Sequence, residues 1–475
     1  MEKSQRLSLG RILAFGVGDV FGGGSFNIFN FLYPVYIVLA VGLSPFYVAV
    51  IMFVARVFDA LIDPMLGFWS DKVRVRYGTR RRTLFISAPL LVLALFLAFF
   101  PYNIEGNSEM FRFLAALFSY LFYCLVSSSI MVPYWSLASE ITDDYTERGR
   151  MTSWRMGFSI FASIVCVALP GMIVDAYEGN QGYIVMSLVF GVIFMVCILV
   201  TAIFAKEGIP SDTRLDKFSL KEFIKPFKLK SFRHYLYLLL GCQITMTVMS
   251  SLFFFYVMFY YLRDVTAVGG DSFAAYIAAA LMFAVQIVAL PFYMHLIRRV
   301  GKTKAYIVGS VIWIIVALSL LVIPANSPYW VLFLLAALMG FGISGPGLIP
   351  HAMFGDIVDV GHLKFGVRDA GAFSGIGSFV NTSAQGIGLA IAMSIIGFAG
   401  FTEQQPGMPP IYSQPESAQT AIILLMALTP LLLLSIGIFY CTRYRLDKKR
   451  HAMVVSAIES GDEKERELIL RELEG

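Results

Sequence analysis

Three charged residues inside an apolar run raise the first chemical question. The run reads Arg56–Val57–Phe58–Asp59–Ala60–Leu61–Ile62–Asp63–Pro64. On a helix, Arg56, Asp59 and Asp63 stand at i, i+3 and i+7 and share one face. Two carboxylates on one face make an oxygen-rich site that takes Na+, and one of the pair can equally hold a proton. The competing use of the same residues is a structural ion-pair network. A third acid, Asp19, follows Gly16–Val17–Gly18, with Phe26 and Asn30 close to its face at i+7 and i+11. Gly22, Gly23 and Gly24 leave a surface almost without side chains, against which a second helix can close. Polar groups recur at Ser127, Ser128 and Ser129, at Pro133–Tyr134–Trp135 and at Trp154–Arg155. A tryptophan beside hydrogen-bond donors can stack on a sugar ring or on any flat apolar face. Trp135 and Arg155 are therefore candidates for holding a solute, with an interfacial aromatic belt as the alternative.

These residues need a scaffold that tolerates charge in apolar surroundings. Of 475 residues, 58% are hydrophobic and 15% charged, and the mean hydropathy is +0.73. A soluble domain carries about 25% charged residues to cover its surface. This chain has too few, and lipid must stand in for water. A helix crosses the hydrocarbon with about 20 mostly apolar residues. Runs of that kind fall at about 12–40, 45–69, 83–101, 110–134, 155–175, 182–204, 234–261, 273–297, 305–324, 329–352, 370–398 and 419–441, twelve in all. Lys and Arg crowd alternate links, at 72–82, 206–233, 298–304 and 443–450. By the positive-inside rule both termini are cytoplasmic, and the chain is expected in the cell inner membrane as a multi-pass protein. The five cysteines lie in or beside apolar runs with no CxxC spacing, so they read as small hydrophobes.

The basic link divides the chain into a first six-helix bundle at 1–204, a cytoplasmic linker at 205–233, a second six-helix bundle at 234–441 and a cytoplasmic tail at 442–475. The halves echo each other faintly: Glu140–Ile141–Thr142–Asp143–Asp144 follows the fourth span, and Asp356–Ile357–Val358–Asp359 follows the tenth. Corresponding polar segments of this kind suit a transporter built from internal repeats. The basic stretch with Asp71, Arg74 and Arg81 reads as a short loop and a conformational latch rather than a binding site. Asp356, Asp359 and Arg368 fill the matching role in the second half. The tail beyond Arg450 mixes acids with Lys and Arg, as a short exposed helix or disorder would. No Walker loop, HExxH motif or clustered histidine is present, so nucleotide, nucleic-acid and enzymatic readings fall away. The chain is expected to need no cofactor and to work as a monomer in the bilayer.

Arg56–x–x–Asp59–Ala60–x–x–Asp63–Pro64–x–x–Gly67, followed by Ser70–Asp71 and Arg74–x–Arg76–x–Gly78–x–x–Arg81, resembles the glycoside–pentoside–hexuronide:cation symporters of the major facilitator superfamily. The melibiose carriers are its best-known members. Gly18–Asp19, Pro133–Tyr134–Trp135–Ser136–Leu137, Asp356–x–x–Asp359 and Gly366–x–Arg368 extend the likeness over roughly positions 11–381. The resemblance implies an all-α membrane protein with the major facilitator fold, carrying a small-molecule substrate together with Na+ or H+. It makes Asp59 and Asp63 the cation-site carboxylates, with Ser128 where a coordinating threonine stands. Asp19, Trp135 and Arg155 become the sugar-site acid, the stacking tryptophan and the sugar-site arginine. Three positions depart from the pattern. Ile62 replaces an asparagine associated with sodium, Met131 replaces a second sugar-binding aspartate, and Asn381 replaces a coupling lysine. These changes point to a glycoside other than melibiose or a substrate with fewer hydroxyls, and animal relatives keep a lysolipid in view. An uncoupled facilitator or exchanger is the alternative in which Asp59 and Asp63 are purely structural.

Overall fold

In the computed structural model the residues described are 7–103, 106–142, 145–206, 225–263, 273–366, 370–403, 411–460 and 462–474. Among them the secondary structure is helical, without a strand. Among the described residues twelve helices are long and apolar enough to cross a membrane, from Leu9–Leu39 to Glu416–Arg443. Each coincides with an apolar run read from the sequence.

Several helices continue past the lipid-length segment. The second span is Pro45–Tyr77, so most of the basic stretch expected as a loop is helix. Lys and Arg are good helix formers, and cations in a last turn face the exposed carbonyls of the helix end. Gly78 ends the helix at φ +73°, with its N–H on the Arg74 carbonyl at 2.7 Å. That left-handed conformation costs any residue with a Cβ. The tenth span, Tyr329–Phe365, stops in the same way at Gly366, φ +74°. The first and seventh spans share a second device, a π turn at Ile28–Leu32 and at Val257–Tyr261. Such a turn rotates the side chains around it relative to an α-helix.

One compact unit comprises Met1–Asp216, Phe253–Ala280 and Ala390–Gln419. Its interior is aromatic: Phe29 stacks on Tyr123 with ring centroids 3.9 Å apart, and Tyr33 on Tyr120 at 4.7 Å. Phe31 meets Phe253 and Phe254 edge-on at 6.1 and 5.9 Å, and Phe46 meets Phe398 at 6.2 Å. Such pairs contribute about 0.5–1.5 kcal/mol each beyond their buried area.

The second unit comprises Lys217–Leu252, Leu281–Leu389 and Thr420–Gly475. Here the tail departs from expectation. It forms two helices, Lys448–Ser460 and Glu463–Glu474, that fold back onto the unit. Val454, Ala457, Ile469 and Leu473 are buried in one cluster with Ile357, Val358, Leu363 and Phe373. Asp447 caps the first helix by accepting from the Arg450 N–H at 2.8 Å. Arg450 pairs with Glu472 at 2.7 Å, tying the two helices together. The apolar residues recur at helical spacing among the charges, and that stripe is what docks.

Candidate functional site

The second span delivers Arg56, Asp59 and Asp63 to one face, as their spacing requires. Arg56 Nη1 stands 4.0 Å from Asp59 Oδ2. Its Nη2 faces Asn30 Oδ1 of the first span at 3.5 Å. The fourth span supplies the opposite wall: the Cys124 thiol lies within hydrogen-bond reach of Asp59, and the Ser128 hydroxyl within reach of Asp63. Asp63 Oδ1 is buried with no hydrogen-bond partner among the described residues. A carboxylate oxygen held that way is costly unless a cation or a proton satisfies it. Two carboxylates against one guanidinium leave this group with one net negative charge. Its oxygens can therefore accept one Na+ or one proton.

Asp19 belongs to a separate constellation. Its Oδ2 is 3.8 Å from Arg155 Nε of the fifth span, and the Ser159 hydroxyl reaches its carboxylate. The glycine stripe makes this approach possible. A Cβ on Gly23 would sit 2.4 Å from Ser159 Oγ and 2.6 Å from the Ser159 carbonyl. A Cβ on Gly22 would meet Met131 at 2.7 Å and the Asp19 carboxylate at 2.6 Å. Ser128, Met131 and Trp135 follow one another on one face of the fourth helix, at i, i+3 and i+7. Ser128 faces Asp63, Met131 faces the Asp19 turn, and Trp135 continues that face at 55% exposure. Asp19 and Arg155 balance each other's charge and offer an acceptor and donors, and the Trp135 indole is exposed.

The remaining candidates sit elsewhere. Asn30, placed close to the Asp19 face by its i+11 spacing, is not there in the structure. It lies within the π turn and is buried, with its Oδ1 toward Arg56 and its amide donating to the Phe26 carbonyl at 2.8 Å. Asn381, in the second unit, has a buried Oδ1 without a partner among the described residues. One turn on, Gln385 accepts from Thr247 at 2.7 Å. Arg74 is buried near the end of the second span, and Asp71 falls on the same helix. Arg81 donates to the carbonyls of Ala202 and Ile203 at 2.9 and 3.3 Å, at the C-terminal end of the sixth span. There its charge meets the negative end of a helix dipole. Asp356 pairs with Lys302 at 2.6 Å, and Asp359 with His451 of the tail at 3.1 Å. Arg368 lies outside the described residues. Among the described residues no group of three His, Cys, Asp or Glu is arranged to hold a metal ion.

Sequence reasoning missed Cys124, Ser159, Tyr134, Thr201 and His451 as partners. Each comes from an element far along the chain from the group it touches. Their signal is a polar or thiol side chain on the interior face of an apolar helix, which by itself names no partner.

A family model described as MFS/sugar transport protein matches residues 14–448. The chain is 25% identical to the sodium-dependent lysophosphatidylcholine symporter 1 of Gallus gallus, covering 94% of this chain and 89% of that one. It is 24% identical to the uncharacterized symporter YjmB of Bacillus subtilis, covering 96% of each. Among solved structures, a bacterial homologue of the lysosomal transporter Spinster superposes with a TM-score of 0.64 at 14% identity, over 92% of this chain and 97% of that one. A bacterial homologue of ferroportin gives 0.63 at 15% identity, over 92% of this chain and 100% of that one. The architecture is that of major facilitator transporters.

Proposed function

The chain belongs to the MFS/sugar transport protein family, and on that footing we propose that it carries a glycoside or oligosaccharide together with one monovalent cation. It is a membrane transporter rather than an enzyme, and its relatives include a sodium-dependent symporter and an uncharacterized symporter. The observation that carries the reading is the separation of two charge groups in the first unit. Arg56, Asp59 and Asp63 carry one net negative charge, which suits a single Na+ or H+. Asp19 and Arg155 are balanced, which suits a neutral polar solute. An acid that accepts from hydroxyls, a guanidinium that donates to ring oxygens and an open indole face are what a sugar needs. A melibiose-type carrier is the subfamily these groups fit.

The mechanism is alternating access. The cation neutralises the Asp59–Asp63 group first, because an uncompensated carboxylate at membrane depth opposes closure of the cavity. Solute then binds beside Asp19 and Trp135, and both are released on the other side. Coupling is the free energy by which each bound partner favours the other. The basic links favour cytoplasmic termini and an inner-membrane setting by the positive-inside rule, and we take the carrier to act as a monomer.

A second reading follows from the lysophosphatidylcholine symporters among the relatives. Arg155 suits a phosphate, and Trp135 suits a quaternary ammonium through its π face. Uptake into proteoliposomes distinguishes the two, with a panel of alkyl and aryl glycosides against lysophosphatidylcholine. Saturable glycoside uptake, lost in Asp19→Asn and weakened in Trp135→Ala, is expected. Lysophosphatidylcholine uptake that no glycoside competes with establishes the second reading. Uptake of neither class contradicts both.

A further inference from the structure

The first span is not one continuous helix: it runs Leu9–Val17, breaks at Gly18 and resumes at Asp19. In an unbroken α-helix the Ala14 carbonyl would accept from Gly18 N–H, and the Phe15 carbonyl from Asp19 N–H. Here Gly18 N–H turns to the Phe15 carbonyl at 3.2 Å. The Ala14 carbonyl thus released accepts from the Thr201 hydroxyl of the sixth span at 2.7 Å. The Phe15 carbonyl also accepts from the Tyr134 hydroxyl of the fourth span at 2.9 Å. That same hydroxyl lies within reach of the Asp19 backbone N–H. Tyr134 thus stands in the ladder where the Asp19–Phe15 bond would be. Side chains inserted between the N–H and C=O of one turn are a recognised cause of kinks.

The packing is built around this insertion. Tyr134 and Thr201 are fully buried, and Tyr134 stacks on Phe15 with centroids 4.9 Å apart. A Cβ on Gly18 would stand 2.6 Å from the Tyr134 ring and 2.7 Å from Thr201 Oγ1. Glycine is therefore required for both hydroxyls to reach the backbone. Asp19 is the first residue after the break, and its carboxylate faces Arg155. Restoring i→i−4 bonding in place of this i→i−3 bond would change the winding of the turn and swing Asp19 about the helix axis.

We infer that Tyr134 and Thr201 are positioning residues, whose hydroxyls hold the first span open at Gly18 and thereby aim Asp19 at the solute. This rests on the reading of Asp19 as a solute-binding acid and adds to it the groups that set its direction.

The test uses the full chain in proteoliposomes, with a nitrophenyl glycoside and lysophosphatidylcholine as probes and four variants. Tyr134→Phe and Thr201→Val keep shape and remove the hydroxyls. Gly18→Ala leaves the hydroxyls and blocks their approach. Asp19→Asn is the reference for the acid itself. All three positioning variants are expected to raise the half-saturating solute concentration about tenfold, the scale of one lost hydrogen bond in a buried site. Maximal rate and half-saturating cation concentration are expected to stay near wild type. A purely structural role would instead lower the amount of active protein and the maximal rate, with no selective change in solute affinity, and would overturn the proposal. Wild-type solute affinity in Tyr134→Phe and Thr201→Val, with affinity lost in Asp19→Asn, would overturn the positioning role and leave Asp19 in place. Unchanged affinity in Asp19→Asn, or uptake of neither probe, would remove the reading of Asp19 and this inference with it.

Discussion

Ser128 is the least obvious member of the proposed cation group, and its worth can be measured. It supplies one hydroxyl toward Asp63 and no charge. Ser128→Ala is expected to raise the half-saturating cation concentration about tenfold, by loss of one oxygen contact to a charged group. Solute half-saturation at saturating cation should stay within about twofold on the same scale. A solute affinity that falls with the cation affinity would place Ser128 in both sites. The residues proposed for this chemistry are legible in the sequence to different degrees. Arg56, Asp59 and Asp63 declared themselves, because i, i+3 and i+7 within one helix fix a shared face before any tertiary contact forms. Asn30 did not, because a spacing of i+11 gives a shared face only along an unbroken α-helix, and the π turn interrupts it. Cys124 and Ser159 carry no local pattern at all. Only the packing of one span on another brings them to Asp59 and Asp19.

The first and fifth helices meet across a glycine stripe, and this contact makes a sharp prediction. At Gly23 an added methyl would stand 2.6 Å from the Ser159 backbone carbonyl, which cannot swing away as a flexible side chain would. Gly23→Ala is expected to destabilise the protein by about 1–3 kcal/mol through overpacking, read as a lower midpoint of thermal unfolding in micelles. Gly10→Ala is the control, since nothing lies within 4 Å of its Cβ position. Equal midpoints for the two variants would mean that the helices are not in close contact there. At the end of the second span the constraint is conformational. Gly78 has open space around it but a φ of +73°. Gly78→Ala should therefore cost about 1 kcal/mol without any clash, visible in the same melt. The helices themselves were legible wherever an apolar run was long enough to cross lipid. Their true ends were not, because positive side chains mark the edge of the hydrocarbon while helix hydrogen bonding continues through them to Gly78 and Gly366.

The docked tail shows how far a charged segment can be misread. Val454, Ala457, Ile469 and Leu473 are buried against the tenth and eleventh spans, and His451 reaches Asp359 at 3.1 Å. A chain ending at Leu446 is expected to unfold at lower temperature, since each buried aliphatic side chain larger than alanine contributes about 1.5–3 kcal/mol. An unchanged midpoint would mean that the hairpin does not add to the stability of the second unit. Composition was enough for the membrane class, because too few charges cannot cover a water-soluble surface, and the apolar runs were enough for the span count. It was silent on the hairpin, whose few apolar residues are diluted by Lys and Glu and show only as helical spacing. The account as a whole stands on coupling through Asp59 and Asp63. The direct measurement is ion entry into proteoliposomes on addition of solute, with sodium and pH indicators inside, for wild type, Asp59→Asn and Asp63→Asn. Ion entry that appears only with solute, and disappears in both variants, is the result predicted here. Solute uptake that ignores both ion gradients and survives both substitutions would contradict it, returning the two carboxylates to a structural ion pair.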